Sequence, residues 1–229
     1  MREIVLDTET TGFDPFTGDR IVEIGAVELM NHMPTGKTYH QYINPKRSMP
    51  ASAFEVHGLG DEFLAKQPVF KDIAQAFVDF IGTDRLVIHN ASFDMKFLNA
   101  ELEWLGRPKL PMDQALDTLA IARKKFPGSP ASLDALCRRF GVNNAAREKH
   151  GALLDSEILA EVYLELIGGR QPDFGLNTAA TSGENSGDTA DWRAKPRPQP
   201  LPTRISEEET KAHHAFIEKL SGGGLWPNS

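Results

Sequence analysis

The chain opens on a short apolar run, Glu3–Asp7 (EIVLD), whose β-branched residues predict a buried strand. Two more strands are predicted over Arg20–Leu29 (RIVEIGAVEL) and Thr38–Asn44 (TYHQYIN), with Pro45 and Pro50 bracketing the next loop. The period then changes. Ile73, Phe77, Phe80 and Ile81 recur at helical spacing and predict a helix over Lys71–Ile81. Leu86–His89 (LVIH) reads as a strand running into Asn90, and Ser92–Leu105 as a helix with Phe93, Phe97, Leu98, Leu102 and Leu105 on one side. Further helices are predicted over Leu119–Lys125, Leu133–Phe140 and Ala152–Ile167. Three strands followed by alternating helix and strand predict an α/β domain over residues 1–170, a mixed sheet flanked by helices.

Beyond Gly168-Gly169 the pattern stops. Asn177–Asp191 contains no large aliphatic or aromatic residue, and Pro196, Pro198, Pro200 and Pro202 follow at alternate positions. Residues 171–202 therefore read as a linker, flexible and then semi-rigid. Residues 203–229 end it with a short module. Ser206-Glu-Glu-Glu209 is a helix start of the capping-box type, and Phe216, Ile217 and Leu220 form an apolar stripe. A segment this small needs something to dock on.

Composition narrows the setting. Hydrophobic residues at 40% and charged residues at 25% are ordinary for a soluble globular protein. No apolar run approaches the ~18 residues of a membrane span, and the strand-like N-terminus leaves no room for a signal peptide. The single cysteine, Cys137, sits at an apolar helix position and fits a reducing compartment, so a cytoplasmic location is expected. A net charge of −7 argues against gripping nucleic acid by bulk electrostatics. Within residues 1–167 one stretch, Arg123–Lys149, runs the other way, with Arg123, Lys124, Lys125, Arg138, Arg139, Arg147 and Lys149. That stretch is a candidate for holding phosphates; solvated helix faces are the plain alternative.

Four acids carry candidate chemistry. Asp7 and Glu9, two apart at a strand end, share a face. They repel unless a divalent cation lies between them. Asp94 follows the LVIHN strand and opens a helix, where a first-turn Asp could also serve the helix dipole. His89 and Asn90 beside it could equally be strand-end polar groups. Asp155 lies in the first turn of a helix whose other face is apolar, near core level. His150, ahead of Gly151, is an imidazole able to take a proton near neutral pH. Singly, each has a structural explanation. Together they suit two oxygen-ligated cations, Mg²⁺ or Mn²⁺, clamping a phosphodiester, with His150 taking a proton from water.

Here a resemblance enters. IVLDTETTG, VIHNASFD and HGALLDSEILAEVY resemble the three motifs of the DEDDh exonuclease family, and within it the proofreading subunits of bacterial replicative DNA polymerases. The likeness covers about residues 2–167 and includes EIGAVE, FEVHGL and LDTLAIARKKFPG. It implies a ribonuclease H-like fold with a mixed five-stranded sheet and 3′→5′ hydrolysis of a DNA end. Metal binding falls to Asp7, Glu9, Asp94 and Asp155, with Asp7, Glu9 and Asp155 also near substrate. His150 becomes the general base, where the sibling subclass has tyrosine. His57 matches a residue lining the terminal-nucleotide pocket. Ser52 stands where some relatives place Glu near the sugar, so that contact loses its charge.

The same resemblance gives the tail a purpose. Gln171–Leu176 (QPDFGL) is similar to the short peptides by which replication proteins enter a groove on the sliding clamp. Residues 203–229 resemble the segment that tethers such a nuclease to the polymerase catalytic (alpha) subunit. A free-standing DNA or RNA trimming nuclease, or a non-catalytic adaptor between polymerase and clamp, are the other readings. The linker and docking module weigh against the first, the intact acid set against the second.

Overall fold

A computed structural model describes residues 1–145, 149–169 and 205–219. The chain divides into two compact units, Met1–Leu176 and Asn177–Ser229. The first is a five-stranded sheet of β1 (Arg2–Thr10), β2 (Ile21–Met30), β3 (Met33–Tyr42), β4 (Arg85–Ile88) and β5 (Ala115–Asp117), in the order β3-β2-β1-β4-β5. β1, β2 and β3 are antiparallel, while β4 and β5 run parallel to β1. Helices α1 (Ala51–His57), α2 (Asp61–Leu64), α3 (Phe70–Ile81), α4 (Ala91–Trp104), α5 (Thr118–Lys125), α6 (Leu133–Phe140) and α7 (Ala152–Leu166) complete the unit. The ribonuclease H-like mixed sheet expected from the sequence is present.

The apolar run in β1 is continuous because both faces of the sheet are covered. Ile4 and Leu6 face a core shared with Phe70, Phe77, Phe97 and Leu98 of α3 and α4. Val5 points the other way, into a core with Leu136, Cys137, Ile158, Val162 and Tyr163 of α6 and α7. Cys137 is thus a core residue, as its helix position predicts. Glu3 opens the run as a fully buried acid and is satisfied there, accepting from the Tyr163 hydroxyl at 2.8 Å and meeting His32 Nδ1 at 2.6 Å.

Four elements depart from the sequence expectation. β3 begins at Met33, five residues before the predicted Thr38. Asn31 and His32, both at positive φ, make a two-residue hairpin that pairs Met30 with Met33. Pro34 and Gly36 obscure this stretch, yet a sheet edge tolerates them. α1 and α2 fill what reads as loop, and β5 has only three residues.

In the second unit, α8 (Glu207–Lys219) starts where predicted. Glu209 N donates to Ser206 Oγ at 3.2 Å, and Ser206 N donates to Glu209 Oε2 at 2.8 Å, a reciprocal capping box. Phe216 on this helix is exposed. Residues 171–202, with the suggested clamp peptide 171–176, lie outside the described residues, as does Leu220.

Candidate active site

Because β1, β4 and β5 are parallel, their C-terminal ends emerge at one edge of the sheet, where parallel-strand folds form their crevices. Asp7 and Glu9 stand at that end of β1, Glu9 buried and Asp7 half-buried. β4 leads through His89 into Asn90, which caps α4 at φ 67° and ψ 52°. Asparagine is one of the few residues that adopts this left-handed conformation at little cost. Asp117, the side-chain cap of α5, accepts from Asn90 N at 3.0 Å and from Leu119 N at 2.9 Å, tying the turn to the end of β5. His89 Nδ1 meets Thr118 Oγ1 at 2.9 Å. Both His89 and Asn90 are therefore accounted for by strand-end bonding.

The turn delivers Asp94 into the first turn of α4, only 3% exposed. One of its oxygens accepts from Thr8 N at 3.1 Å and from Thr8 Oγ1 at 2.7 Å, which locks α4 to β1 between Asp7 and Glu9. Burial pushes the Asp94 carboxyl up to about 7; the Thr8 bonds oppose this and the Asp117 charge adds to it. Among the described residues no basic side chain forms an ion pair with it, as expected of a cation ligand.

Asp155 arrives from the opposite face on α7. Glycine at position 25 permits this: a Cβ there would overlap the backbone of Ala152 and Leu153, so only a bare backbone lets α7 rest on β2. Ser156 Oγ fastens the contact by donating to Gly25 O at 2.9 Å. Gly25 is the register partner of Asp7, so the contact that seats α7 also sets Asp155 beside β1. Asp155 is 3% exposed, and its Oδ2 lies 3.2 Å from Nδ1 of half-exposed His150. His150 N in turn donates to Val56 O at 3.2 Å, anchoring this segment to α1. One donor atom each from Glu9, His150 and Asp155 lies within 4.8 Å of the other two.

Asp7, Glu9, Asp94, His150 and Asp155 all line one cavity of about 460 Å³, together with His89, Phe93, Leu119, Arg123 and Ser132. A smaller cavity of about 160 Å³ adjoins it and shares Thr8, Glu9 and Phe93. Its walls are mainly apolar, with Phe13, Ala53 and Val56, and Ser52 is among them. His57 is not among the residues lining either cavity. It sits buried at the end of α1, its Nδ1 accepting from Leu59 N at 3.1 Å. Nε2 has no hydrogen-bond partner among the described residues, and burial holds the imidazole below its ordinary range. Thr8, Phe13, Gly25, Val56 and Asp117 serve the site unannounced. Most of their contacts join residues far apart in the chain, which no local pattern reveals.

Several described residues of the basic stretch make separate contacts. Lys125 Nζ donates to Leu166 O at 2.9 Å, closing the end of α7. The Arg139 guanidinium covers the Phe126 ring at 4.3 Å, and Lys149 Nζ lies 5.1 Å from the Phe54 ring. Arg147 is outside the described residues.

Comparison with known proteins agrees with this geometry. The Exonuclease family model, RNase_T, matches residues 4–163. The chain belongs to this exonuclease family. Among its relatives it is 47% identical to DNA polymerase III subunit epsilon of Rickettsia felis, over 96% of this chain and 97% of that one. It is 42% identical to the protein of the same name from Escherichia coli K12, over 98% and 97% of the two chains. These relatives place this exonuclease with the DNA polymerase III epsilon subunits. Among solved structures it resembles the nuclease domain of 3′hExo, a DEDDh family member bound to rAMP, with a TM-score of 0.63 at 20% identity. That match covers 72% of this chain and 91% of the other. Exonuclease I matches with a TM-score of 0.64 at 15% identity, over 72% and 40% of the chains. Both likenesses concern the fold.

Proposed function

We propose that this exonuclease proofreads DNA synthesis as a subunit of a replicative polymerase, removing mismatched 3′-terminal nucleotides as nucleoside 5′-monophosphates. The observation that carries the reading is the convergence of Asp7, Glu9, Asp94 and Asp155, from three elements, with His150 Nδ1 3.2 Å from Asp155. The donor set fits a hard divalent cation: oxygen ligands, largely buried, with Asp94 held unusually high by burial. Asp7, Glu9, Asp94 and Asp155 would hold two such ions, Mg²⁺ or Mn²⁺, whose charge activates water and offsets the negative charge gathering on the phosphate and the leaving 3′-oxygen.

The rest falls to the chain. The smaller cavity accepts the terminal nucleoside, its base against Phe13, Val56 and Phe93 and its sugar near Ser52. His57 supports this pocket from the end of α1. His150, half-exposed and oriented by Asp155, takes the proton of the attacking water as its oxygen bonds to phosphorus. The bond from phosphorus to the 3′-oxygen breaks, and that oxygen takes up a proton from solvent, leaving a shortened strand with a 3′-hydroxyl. A paired end must unpair to reach this pocket, and a mismatched end does so at lower cost, which supplies selectivity without reading sequence.

Residues 203–229 tether the domain to the polymerase catalytic (alpha) subunit, and 171–176 enter the sliding clamp, raising the local concentration of a nuclease too acidic to hold DNA by charge alone. All of this takes place in the cytoplasm; no described helix is long and apolar enough to cross a membrane. Removing residues 203–229 should abolish co-purification with the polymerase subunit while exonuclease activity on a free primer persists. Continued co-purification would refute the tether.

A further inference from the structure

The two cavities meet at the carboxylates, since both include Thr8, Glu9 and Phe93. A strand whose terminal nucleoside fills the smaller one has its scissile phosphate at the acids. Its next nucleotide then continues into the larger one, past His89, Leu119 and Ser132. Leaving the histidines aside, the charged residues that line this cavity are acids, with one exception. Arg123 is the only lysine or arginine among the described residues lining the larger cavity.

A helix-dipole role does not account for this placement. Arg123, Lys124 and Lys125 all occupy the last turn of α5. Lys125 closes the end of α7 and Lys124 lies on the surface, so the dipole is served without turning a guanidinium into the cavity. Arg123 is exposed and has no ion-pair partner among the described residues, unlike Arg2, Arg20 and Arg47, each paired with a carboxylate. Its charge also reaches the cavity wall. Burial is the main reason the His89 imidazole is held below its ordinary range, and Arg123 pushes the same way.

We infer that Arg123 is a positioning residue, binding the phosphate that follows the scissile one and so holding the strand in register across the acids. The inference rests on the exonuclease reading above. A planar guanidinium suits a phosphodiester because two of its N–H groups can donate to the two free oxygens at once. One cation facing an otherwise acidic cavity also fixes which way the strand lies: the terminal nucleoside toward Phe13, the remaining chain toward Arg123.

The test uses the full-length chain with Mg²⁺ and single-stranded oligothymidylate, either unmodified or carrying one neutral methylphosphonate at the penultimate linkage. Arg123→Ala should raise KM on the unmodified strand about tenfold, as expected for loss of one charge-assisted contact, with a much smaller change in kcat. Arg123→Lys should restore part of the loss. The slope of log KM against log salt should fall by about 0.7, one phosphate contact to a single strand. The methylphosphonate should weaken wild-type binding to a similar degree and Arg123→Ala hardly at all, because the partner charge has already gone. If the methylphosphonate costs both proteins equally, Arg123 does not touch that phosphate and the inference fails. Arg123→Gln, keeping the stem without the charge, carries the same comparison should the alanine variant fold poorly. A wild type that degrades neither strand would overturn the exonuclease reading itself; an active wild type with additive losses overturns only the role of Arg123.

Discussion

Asparagine in place of Asp94 is expected to remove activity while leaving the protein folded and no less stable. The amide oxygen can still accept from Thr8 N and Thr8 Oγ1, so α4 stays docked on β1. What disappears is a buried negative charge, and turnover should fall by roughly a thousandfold or more because several kcal/mol of transition-state stabilisation are lost. The stability result has the opposite sign. The Asp94 carboxyl is raised to about 7, chiefly by burial. A raised carboxyl destabilises the metal-free fold progressively as pH rises from the unfolded value near 4 toward 7. At pH 8 without metal, Asp94→Asn should therefore unfold at equal or higher denaturant concentration than wild type. At pH 4 the two should be alike. Adding Mg²⁺ should stabilise the wild type more than the variant. A variant that retains most of its turnover would remove Asp94 from the site.

Valine at position 25 should be the most damaging single change outside the acid set. The reason is steric, since any Cβ at Gly25 occupies the space of the Ala152–Leu153 backbone. α7 must then move off β2, which disturbs the core around Ile158, Val162 and Tyr163 and breaks the Ser156–Gly25 bond. A cost of about 3 kcal/mol is expected, the upper range of overpacking, with activity falling further than stability as Asp155 and His150 shift from Asp7 and Glu9. Urea unfolding and turnover on the same preparation check this. Wild-type stability in Gly25→Val would mean that α7 does not seat where the structure puts it.

These two residues mark the boundary of what the sequence makes legible. Asp94 could be singled out because a strand, a turn and a helix start are local patterns. Its reason for being buried could not, because Thr8 is 86 positions away. Gly25 looks like an interruption in a strand until α7, 131 positions later by way of Ser156, is laid across it. The longer periodic elements, α3, α4, α6 and α7, were predicted within a residue or two at each end. The elements missed have physical reasons. α1 leaves Phe54 and Val56 exposed, Val56 on a cavity wall, instead of burying a stripe, so no helical period is written in it. β3 tolerates Pro34 and Gly36 because it is an edge, and β5 is too short for any period. The basic stretch Arg123–Lys149 looked uniform in sequence because charge counts carry no direction. In three dimensions Lys125 closes a helix, Arg139 covers a ring, and Arg123 enters the cavity.

The most direct measurement compares the full-length wild type with Asp7→Ala on a primer–template whose 3′-terminal nucleotide is mismatched. With Mg²⁺ the wild type should release that nucleotide as its 5′-monophosphate, faster than from a matched end, and chelation should stop it. Asp7→Ala should show no release above the chelated control. Magnesium-dependent loss of the terminal nucleotide by Asp7→Ala at the wild-type rate would contradict the four-carboxylate site on which the account stands.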